Sequence, residues 1–325
     1  MRVEVFKTHE ISEPLWEKIS EGFNECFEGF HASKESMKRG FCVSTQTGYS
    51  YHGVALTDED DVMGYTIFTP TFYENGLKIV AGGGTYIRKQ YRDDFLLFAK
   101  IVNALKQRCY EDGYQAVIAV PNANSKDYAI RINRFVYVDD LDYYILPLHP
   151  SKVLHKPALS LLDGITNLVL KVWININGLF SKLFDYSAKE KKVRLVVDDD
   201  FYSSRFKEEC YICKESGKYR YSYRHYDEDG TDTIYLMDFR ENGKRTSHAL
   251  SFCLKEIIKK DKADAILFVG FLDMKQSSLI KVPKRFVPKP LPFTFHVIDK
   301  TNKELVEIMK NRSAWDFSLM NFDVR

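Results

Sequence analysis

The chain has 325 residues, of which 45% are hydrophobic and 28% are charged, and this balance excludes a disordered protein and leaves room for two domains. The formal net charge of +2 gives no bulk electrostatic reason for nucleic-acid binding, and 6 cysteines in a chain of this length exclude a disulfide-rich scaffold. The first six residues alternate in polarity, unlike a signal peptide, and no uninterrupted apolar run has the length of a membrane span. We therefore expect a cytoplasmic protein.

The first elements in the chain are a short strand at residues 3–6 and an amphipathic helix at residues 13–27. Ser12 can cap this helix and Pro14 suits its first turn. Residues 31–40 are polar and predict a second short helix or a loop. Three strands in meander order are predicted at residues 49–57, 62–69 and 77–87, and Glu74-Asn75-Gly76 is a strong turn signal between the last two.

The third meander strand contains Gly82-Gly83-Gly84, which indicates a bulge or a close approach of strands. A basic turn follows, and apolar residues then recur at helical spacing from Phe95 to Cys109, with Gly113 ending the helix. Residues 115–120 predict a strand buried on both faces. A turn at 121–125 leads to a short helix, and a strand at 135–138 or 142–146 closes this half.

Residues 157–184 are rich in Leu, Ile, Val and Trp but include Asp163, Lys171 and Lys182, and these charges argue against a spanning helix. Two interpretations remain open. The segment is either a helical connector packed across both halves or an amphipathic helix that makes a peripheral contact with a membrane surface. The connector is favoured because no strong basic cluster flanks the segment.

The later part of the chain repeats the earlier part. Strands are predicted at residues 193–197, 219–226, 233–239, 265–269 and 293–298, and helices at 246–259 and 303–312. The helix and buried strand of the two halves align with an offset of 149 residues, as Ala104 with Cys253 and Val117 with Ile266 show. We therefore predict three parts: a first domain at 1–150, an apolar helical connector at 151–190, and a second, divergent domain at 191–325.

Cys210 and Cys213 form a lone CxxC motif in the second half. A zinc site needs a second cysteine pair or histidines at ligand spacing, and neither follows. We therefore expect two reduced cysteines and no metal.

This order of elements resembles the GNAT fold of the acyl-CoA N-acyltransferases, a mixed α/β fold, in a tandem two-domain form. The resemblance rests on the strand-to-helix turn that runs through Ile87, Arg88, Lys89 and Arg92, and on Asn122-x-x-Ser125 followed by Tyr128. It covers residues 1–148 directly and 193–300 through the repeat. The family's loop glycines fall at Phe95 and Leu97 in this chain.

The resemblance implies acetyl-CoA or another acyl-CoA as co-substrate. Backbone amides of the strand-to-helix turn would hold the coenzyme pyrophosphate, and basic side chains would add charge-assisted contacts. The implied coenzyme-binding residues are Ile87, Arg88, Lys89, Arg92, Asp93, Asp94, Phe95, Asn122 and Ser125. Tyr128 is the implied catalytic acid for the leaving thiolate. His52 and Asp61 lie on or near the meander strands, and neither is a clear general base because a lone histidine is more often structural.

Three functions follow from the resemblance. The first is an acyl-CoA-dependent N-acyltransferase, most simply an N-acetyltransferase, acting on a small amine such as an amino sugar or an amino acid. The second is a non-catalytic binding or scaffold protein, which the missing loop glycines favour. The third is a transferase that uses aminoacyl-tRNA as donor, although the near-neutral charge argues against a large RNA footprint.

Overall fold

The computed structural model describes residues 1–27, 33–43, 46–183, 193–272, 278–299 and 301–321. Through residue 147, the elements are β1 (Arg2–Lys7), α1 (Glu13–Cys26), α2 (Lys34–Val43), β2 (Tyr51–Leu56), β3 (Val62–Phe72), β4 (Lys78–Ile87), α3 (Leu97–Glu111), β5 (Ala116–Ala119), α4 (Ala123–Asp127), β6 (Val136–Asp140) and β7 (Asp142–Pro147). The later elements are α5 (Pro150–Val153), α6 (Ser160–Leu183), β8 (Val193–Arg194), α7 (Asp199–Arg205), β9 (Ile212–Ser216), β10 (Tyr219–Glu228), β11 (Thr231–Glu241), α8 (Ser247–Lys260), β12 (Ala265–Gly270), β13 (Ile280–Lys281), β14 (Pro292–Val297), α9 (Lys303–Lys310) and β15 (Trp315–Asp316).

The chain forms two compact units, each discontinuous in sequence. Unit 1 comprises Met1–Asp140, Lys192–Arg205 and Pro290–Trp315, and unit 2 comprises Leu141–Lys191, Phe206–Lys289 and Asp316–Arg325. The sequence predicted three contiguous ranges, 1–150, 151–190 and 191–325, whereas each unit of the structure combines three separate segments. The mixed α/β class with mixed sheets is confirmed.

Unit 1 is built on a mixed sheet in the order β1-β2-β3-β4-β5-β14-β6. The first four strands form an antiparallel meander, β4 pairs with β5 in parallel, and β14 is antiparallel to both of its neighbours. Helix α1 covers one face, where Trp16 and Ile19 join the core, and α3 covers the other face through Ile101 and Leu105. Two apolar layers therefore hold the strands of the meander in place.

Unit 2 has a sheet in the order β13-β7-β12-β11-β10-β9. Strand β11 is antiparallel to β10 and parallel to β12, as β4 is to β3 and β5 in unit 1. Helices α6 and α8 contribute Leu170, Ile174 and Leu254 to the apolar core. Both units therefore share the order meander, parallel strand pair and crossover helix.

Two strands explain why the units are discontinuous. Strand β7 begins two residues after β6 ends, but it pairs with β12 and β13 in unit 2. Strand β14, which the sequence assigns to the second half, lies between β5 and β6 in unit 1. Periodicity predicts that these strands exist, but it cannot specify which of two similar sheet edges an apolar strand joins.

Candidate active site

The candidate site lies where β4 and β5 of unit 1 part. Their parallel pairing runs from Ile79 with Ala116 to Gly82 with Ala119, and it ends there. Strand β4 continues to Ile87, so its last five residues lie beside β3 on one side and have no strand partner on the β5 side in the described part of the chain. The parting strands form a gap that can accept an extended chain along the edge of β4.

A bulge in β4 accounts for this parting. Tyr65 of β3 pairs with Tyr86, whereas Ile67 pairs with Gly83, so Gly84 and Thr85 together face a single residue of β3. Gly84 has a φ of +54°, a left-handed conformation that favours glycine. The bulge bends β4 beyond Gly82 and separates it from β5.

The gap is open at Gly83, which is exposed. A Cβ atom built on Gly83 would have no heavy atom within 4 Å, apart from its own neighbours in the chain. At Gly82, by contrast, a Cβ would meet Phe68 at 3.3 Å. Open space therefore lies over the sheet face at Gly83, the residue where the pairing of β4 with β5 stops.

The turn after β4 does not present free amides at the positions where the resemblance places a pyrophosphate. The amide of Phe95 donates to the Asp93 carbonyl at 3.1 Å, and the amide of Leu97 donates to the Asp94 carbonyl at 3.0 Å. The Asp94 carboxylate accepts from the amide of Leu96 at 3.0 Å. These three amides are already used, and two carboxylates place negative charge beside them, so the turn does not fit a diphosphate.

The two bulky residues that stand at the family's glycine positions differ in their exposure to solvent. Phe95 is 59% exposed, so its side chain does not close the gap, whereas Leu97, the first residue of α3, is fully buried in the apolar core. Asp94 also forms an ion pair with Lys100 at 3.1 Å, and this lysine holds the pKa of the Asp94 carboxyl below its usual value. Lys100 is therefore paired with a residue of the turn itself.

The basic residues of the turn have different partners. Arg88 is directed toward α1, where its Nε lies 3.3 Å from the Glu25 carboxylate and one of its terminal nitrogens donates to the Lys18 carbonyl. Arg92 is exposed and donates from Nε to the Ile87 carbonyl at 3.0 Å, and Lys89 is exposed at the start of the turn. Of the predicted coenzyme contacts, Lys89 and Arg92 thus lie on the surface of the turn.

Asn122 and Ser125 lie next to one another after β5. The Asn122 side chain accepts from both the amide and the hydroxyl of Ser125 at 3.0 Å, and this caps α4. Tyr128 follows on a π-helical turn at Tyr128–Ile132 and is 37% exposed. Such turns are frequent at functional sites, and this one leaves the Tyr128 ring accessible to solvent.

His52 is fully buried and holds no place in the site. Its two ring nitrogens lie 2.7 Å from the Tyr65 hydroxyl and 2.9 Å from the Thr8 hydroxyl. Burial lowers the pKa of His52 to about 3, so the ring is neutral at neutral pH. His52 is therefore a structural histidine. Asp61, the other residue considered as a base, lies on an exposed turn, 3.5 Å from Lys18.

In unit 2 the equivalent gap is filled. Strand β11 pairs with β12 only from Thr233 to Tyr235, and it continues to Glu241 as β4 does in unit 1. The segment 316–321 occupies this space: Ser318 bridges to Gly270, and its hydroxyl donates to the Met237 carbonyl at 3.4 Å. Phe317 is fully buried, and a Cβ atom on Gly270 would collide with the Phe317 carbonyl, so only glycine allows this approach.

A buried ion network locks this segment in place. Asp238 is fully buried and binds Arg240 at 2.7 Å and Arg245 at 3.0 Å. Arg245 also binds Asp316 at 2.7 Å and donates to the Ser318 hydroxyl at 2.5 Å. Arg240, near the end of β11, and Arg245, just after it, are thus directed inward to carboxylates, and these two side chains are not available to an anionic ligand.

The described residues contain no group of three or more His, Cys, Asp or Glu side chains that could hold a metal ion. Cys210 and Cys213 are exposed, and the Cys210 thiol lies 3.9 Å from the Glu208 carboxylate. The sequence predicted a bulge or a close strand approach at Gly82-Gly83-Gly84, and the structure has a bulge there, but the sequence did not predict that β4 leaves β5 at Gly83. Three glycines inside a strand were the available signal, because such a run marks a place where a strand bends or another backbone approaches.

Three solved structures similar to this chain are two GCN5-related N-acetyltransferases and a probable N-acyltransferase. A GCN5-related N-acetyltransferase from Kribbella flavida has a TM-score of 0.58 and 11% identity, over 92% of this chain and 72% of that one. A GCN5-related N-acetyltransferase from Anabaena variabilis has a TM-score of 0.57 and 11% identity, over 92% and 73%. A probable N-acyltransferase from Enterococcus faecalis has a TM-score of 0.52 and 9% identity, over 92% and 73%.

No protein-family model and no curated protein sequence matches the chain. The TM-scores of 0.52 to 0.58 establish a shared fold, while at these low identities the chemistry of each protein depends on its own site. The chain therefore has the fold of the GCN5-related N-acetyltransferases.

Proposed function

We propose that this chain is an N-acyltransferase that transfers an acyl group to a small amine, with its donor bound in unit 1. The observation that carries the proposal is the difference between the two gaps. In unit 1 the edge of β4 is open from Gly83 onward, whereas in unit 2 the corresponding space holds residues 316–321. We interpret the two units as a duplicated fold in which only the first keeps a working site.

The gap in unit 1 suits an extended, amide-containing arm such as pantetheine. From Gly83 to Ile87, β4 has a strand neighbour on one side only, so an arm can lie along the other side and exchange hydrogen bonds with the backbone. The turn after β4 does not fit the coenzyme's diphosphate, because the amides of residues 95–97 are used and Asp93 and Asp94 are acidic. The donor is therefore expected to bind through its arm.

Tyr128 is the proposed proton donor to the leaving group, since its ring is accessible and follows directly after the capped α4. The amine must also lose a proton, and a water molecule is the proposed acceptor, because the buried His52 cannot serve. We propose small amines such as amino sugars or amino acids as acceptors; the names of the similar structures support acyl transfer to nitrogen.

Thermal unfolding with three ligands tests this proposal: acetyl-CoA, free CoA and S-acetylpantetheine. Each ligand that binds should stabilise the protein by about 2.7 kcal/mol at a concentration a hundredfold above its Kd. We expect acetyl-CoA and S-acetylpantetheine to have Kd values within about tenfold of each other, a difference of about 1.4 kcal/mol. Stabilisation by none of the three would contradict the proposal.

A strong effect of acetyl-CoA alone would instead show that the turn does bind a diphosphate. The closed turn also favours a second candidate, a non-catalytic binding protein. An assay of thiol release from acetyl-CoA with a panel of amines separates the two, because the binding protein would be stabilised by ligand but release no thiol.

A further inference from the structure

Helix α6 carries a broad apolar surface that faces away from the core of unit 2. Leu170 and Ile174 are buried against α8, and Trp173 donates from its ring nitrogen to the Ser278 carbonyl at 3.1 Å. Trp173 and nine other large apolar residues of α6 are each at least 45% exposed. We call these ten residues the outer stripe: Leu161, Leu162, Ile165, Leu168, Val169, Val172, Trp173, Ile176, Leu179 and Phe180.

The outer stripe is continuous and wide. At 100° per residue its members fall within an arc of about 140°, roughly opposite the face that Leu170 and Ile174 bury. The stripe extends from Leu161 to Phe180 of the 24-residue helix, a length of about 30 Å. A helix that pairs with a single other helix presents a narrower seam, so the width of this stripe favours a flat apolar phase.

The charge around α6 is positive. Between residues 150 and 183 the chain has four lysines, Lys152, Lys156, Lys171 and Lys182, and one acidic residue, Asp163. Lys152 forms an ion pair with the buried Asp264 at 3.0 Å, so the positive charge is carried by the other three lysines. The Asp163 carboxylate accepts hydrogen bonds from the amide and hydroxyl of Ser151. Lys156 and Lys171 are exposed. A positive surface beside an apolar stripe complements the anionic headgroups of a bilayer.

We propose that α6 lies in the interface of an anionic membrane, with the outer stripe in the acyl-chain boundary and the opposite face on unit 2. Residues 157–181 are long and apolar enough to cross a membrane by length and composition alone. A spanning orientation would also immerse α8, which packs along α6 and exposes Lys255 and Lys259. The in-plane orientation leaves those lysines in water.

Sedimentation of the full-length protein with vesicles tests the proposal. We expect binding to phosphatidylcholine vesicles that contain about a third phosphatidylglycerol, and weaker binding to pure phosphatidylcholine. The variant Leu168→Glu/Val172→Glu changes two exposed stripe positions and should lower the bound fraction by about tenfold or more. The matched control Ile280→Glu/Phe286→Glu changes residues of unit 2 that are 50% and 63% exposed, and it should bind like the wild type.

Tryptophan fluorescence gives a second readout, which depends on how deeply a tryptophan ring enters the bilayer. Trp16 and Trp315 are 1% and 0% exposed, whereas Trp173 is 47% exposed, so lipids brominated in their acyl chains should quench Trp173 selectively. The Trp173→Phe variant should sediment with vesicles but lose the quenching. The proposal would be overturned if the wild-type protein sedimented with neither vesicle type, or if Leu168→Glu/Val172→Glu sedimented as the wild type does. So would a wild-type dimer, measured by light scattering, that the stripe variant converts to a monomer, because a second copy would then cover the stripe.

Discussion

A phenylalanine in place of Gly83 should block donor binding without unfolding the protein. Gly83 is exposed, its φ lies outside the left-handed region, and a Cβ atom there meets nothing within 4 Å. Replacing glycine in a strand removes an entropic disadvantage of about 0.5–1 kcal/mol, and aromatic residues favour strands. The free energy of unfolding of Gly83→Phe should therefore equal that of the wild type or exceed it by up to about 1 kcal/mol.

The ring of Gly83→Phe would stand over the sheet face beside the free edge of β4, where it would crowd the donor's arm. The ligand-dependent stabilisation of about 2.7 kcal/mol, expected at a hundredfold excess over Kd, should then disappear. Urea unfolding with and without acetyl-CoA or S-acetylpantetheine measures both quantities in one series. Gly83→Ala is the size control at the same position, and it should retain part of the ligand effect.

Two results would refute this reasoning. A Gly83→Phe variant that is stabilised by the donor as much as the wild type would show that the arm does not follow β4. A loss of more than about 1 kcal/mol in the absence of ligand would show that the position is not open.

Four further predictions concern other parts of the molecule. Arg245→Met should lower the free energy of unfolding by about 3–5 kcal/mol, because it removes the cation shared by the buried Asp238 and Asp316. The control Arg220→Met breaks a partly exposed pair with Glu215 and should lower it by about 0–1 kcal/mol. Equal losses for the two variants in chemical denaturation would contradict the buried ion network. His52 is neutral in the folded state and has a pKa of about 3, so the unfolded state binds the extra proton below its own pKa of about 6.5. Stability should therefore fall by up to about 1.4 kcal/mol per unit as pH drops from 6.5 toward 3, and His52→Gln should flatten that slope in urea titrations at each pH. Asp93→Asn/Asp94→Asn should tighten acetyl-CoA binding severalfold while leaving the Kd of S-acetylpantetheine unchanged, and equal changes for both would argue against repulsion of the diphosphate. Tyr128→Phe should lower kcat by about a hundredfold or more with little change in donor Kd, and an unchanged kcat would remove Tyr128 from the proposed chemistry.

Local patterns predicted most elements of unit 1. The apolar spacing from Phe95 to Cys109 located α3, which begins at Leu97 and ends at Glu111, and the Asn75-Gly76 signal located a turn in which Asn75 has a φ of 64°. Asn122 and Ser125 form the helix cap that their spacing allows. These features depend on neighbours within a few residues, so the sequence is sufficient to predict them.

The features that decide the site depend on distant residues. Arg245 lies in a basic segment that resembles an anion-binding turn, yet its partner Asp316 is 71 residues away and turns the side chain inward. The filling of the gap in unit 2 by 316–321 and the placement of β14 in the sheet of unit 1 are likewise contacts of high sequence separation. The exposed stripe of α6 has the composition of a buried connector, and only the packing of α8 shows which face is covered.

Hydrogen exchange with and without acetyl-CoA tests the placement of the donor most directly. A ligand bound along the free edge of β4 should slow amide exchange in residues 83–87 and at the end of β5 near Ala119. Exchange in 236–245 of unit 2 should stay unchanged, because residues 316–321 already occupy that space. Slowed exchange at 236–245 without any change at 83–87 would contradict the assignment of the site to unit 1.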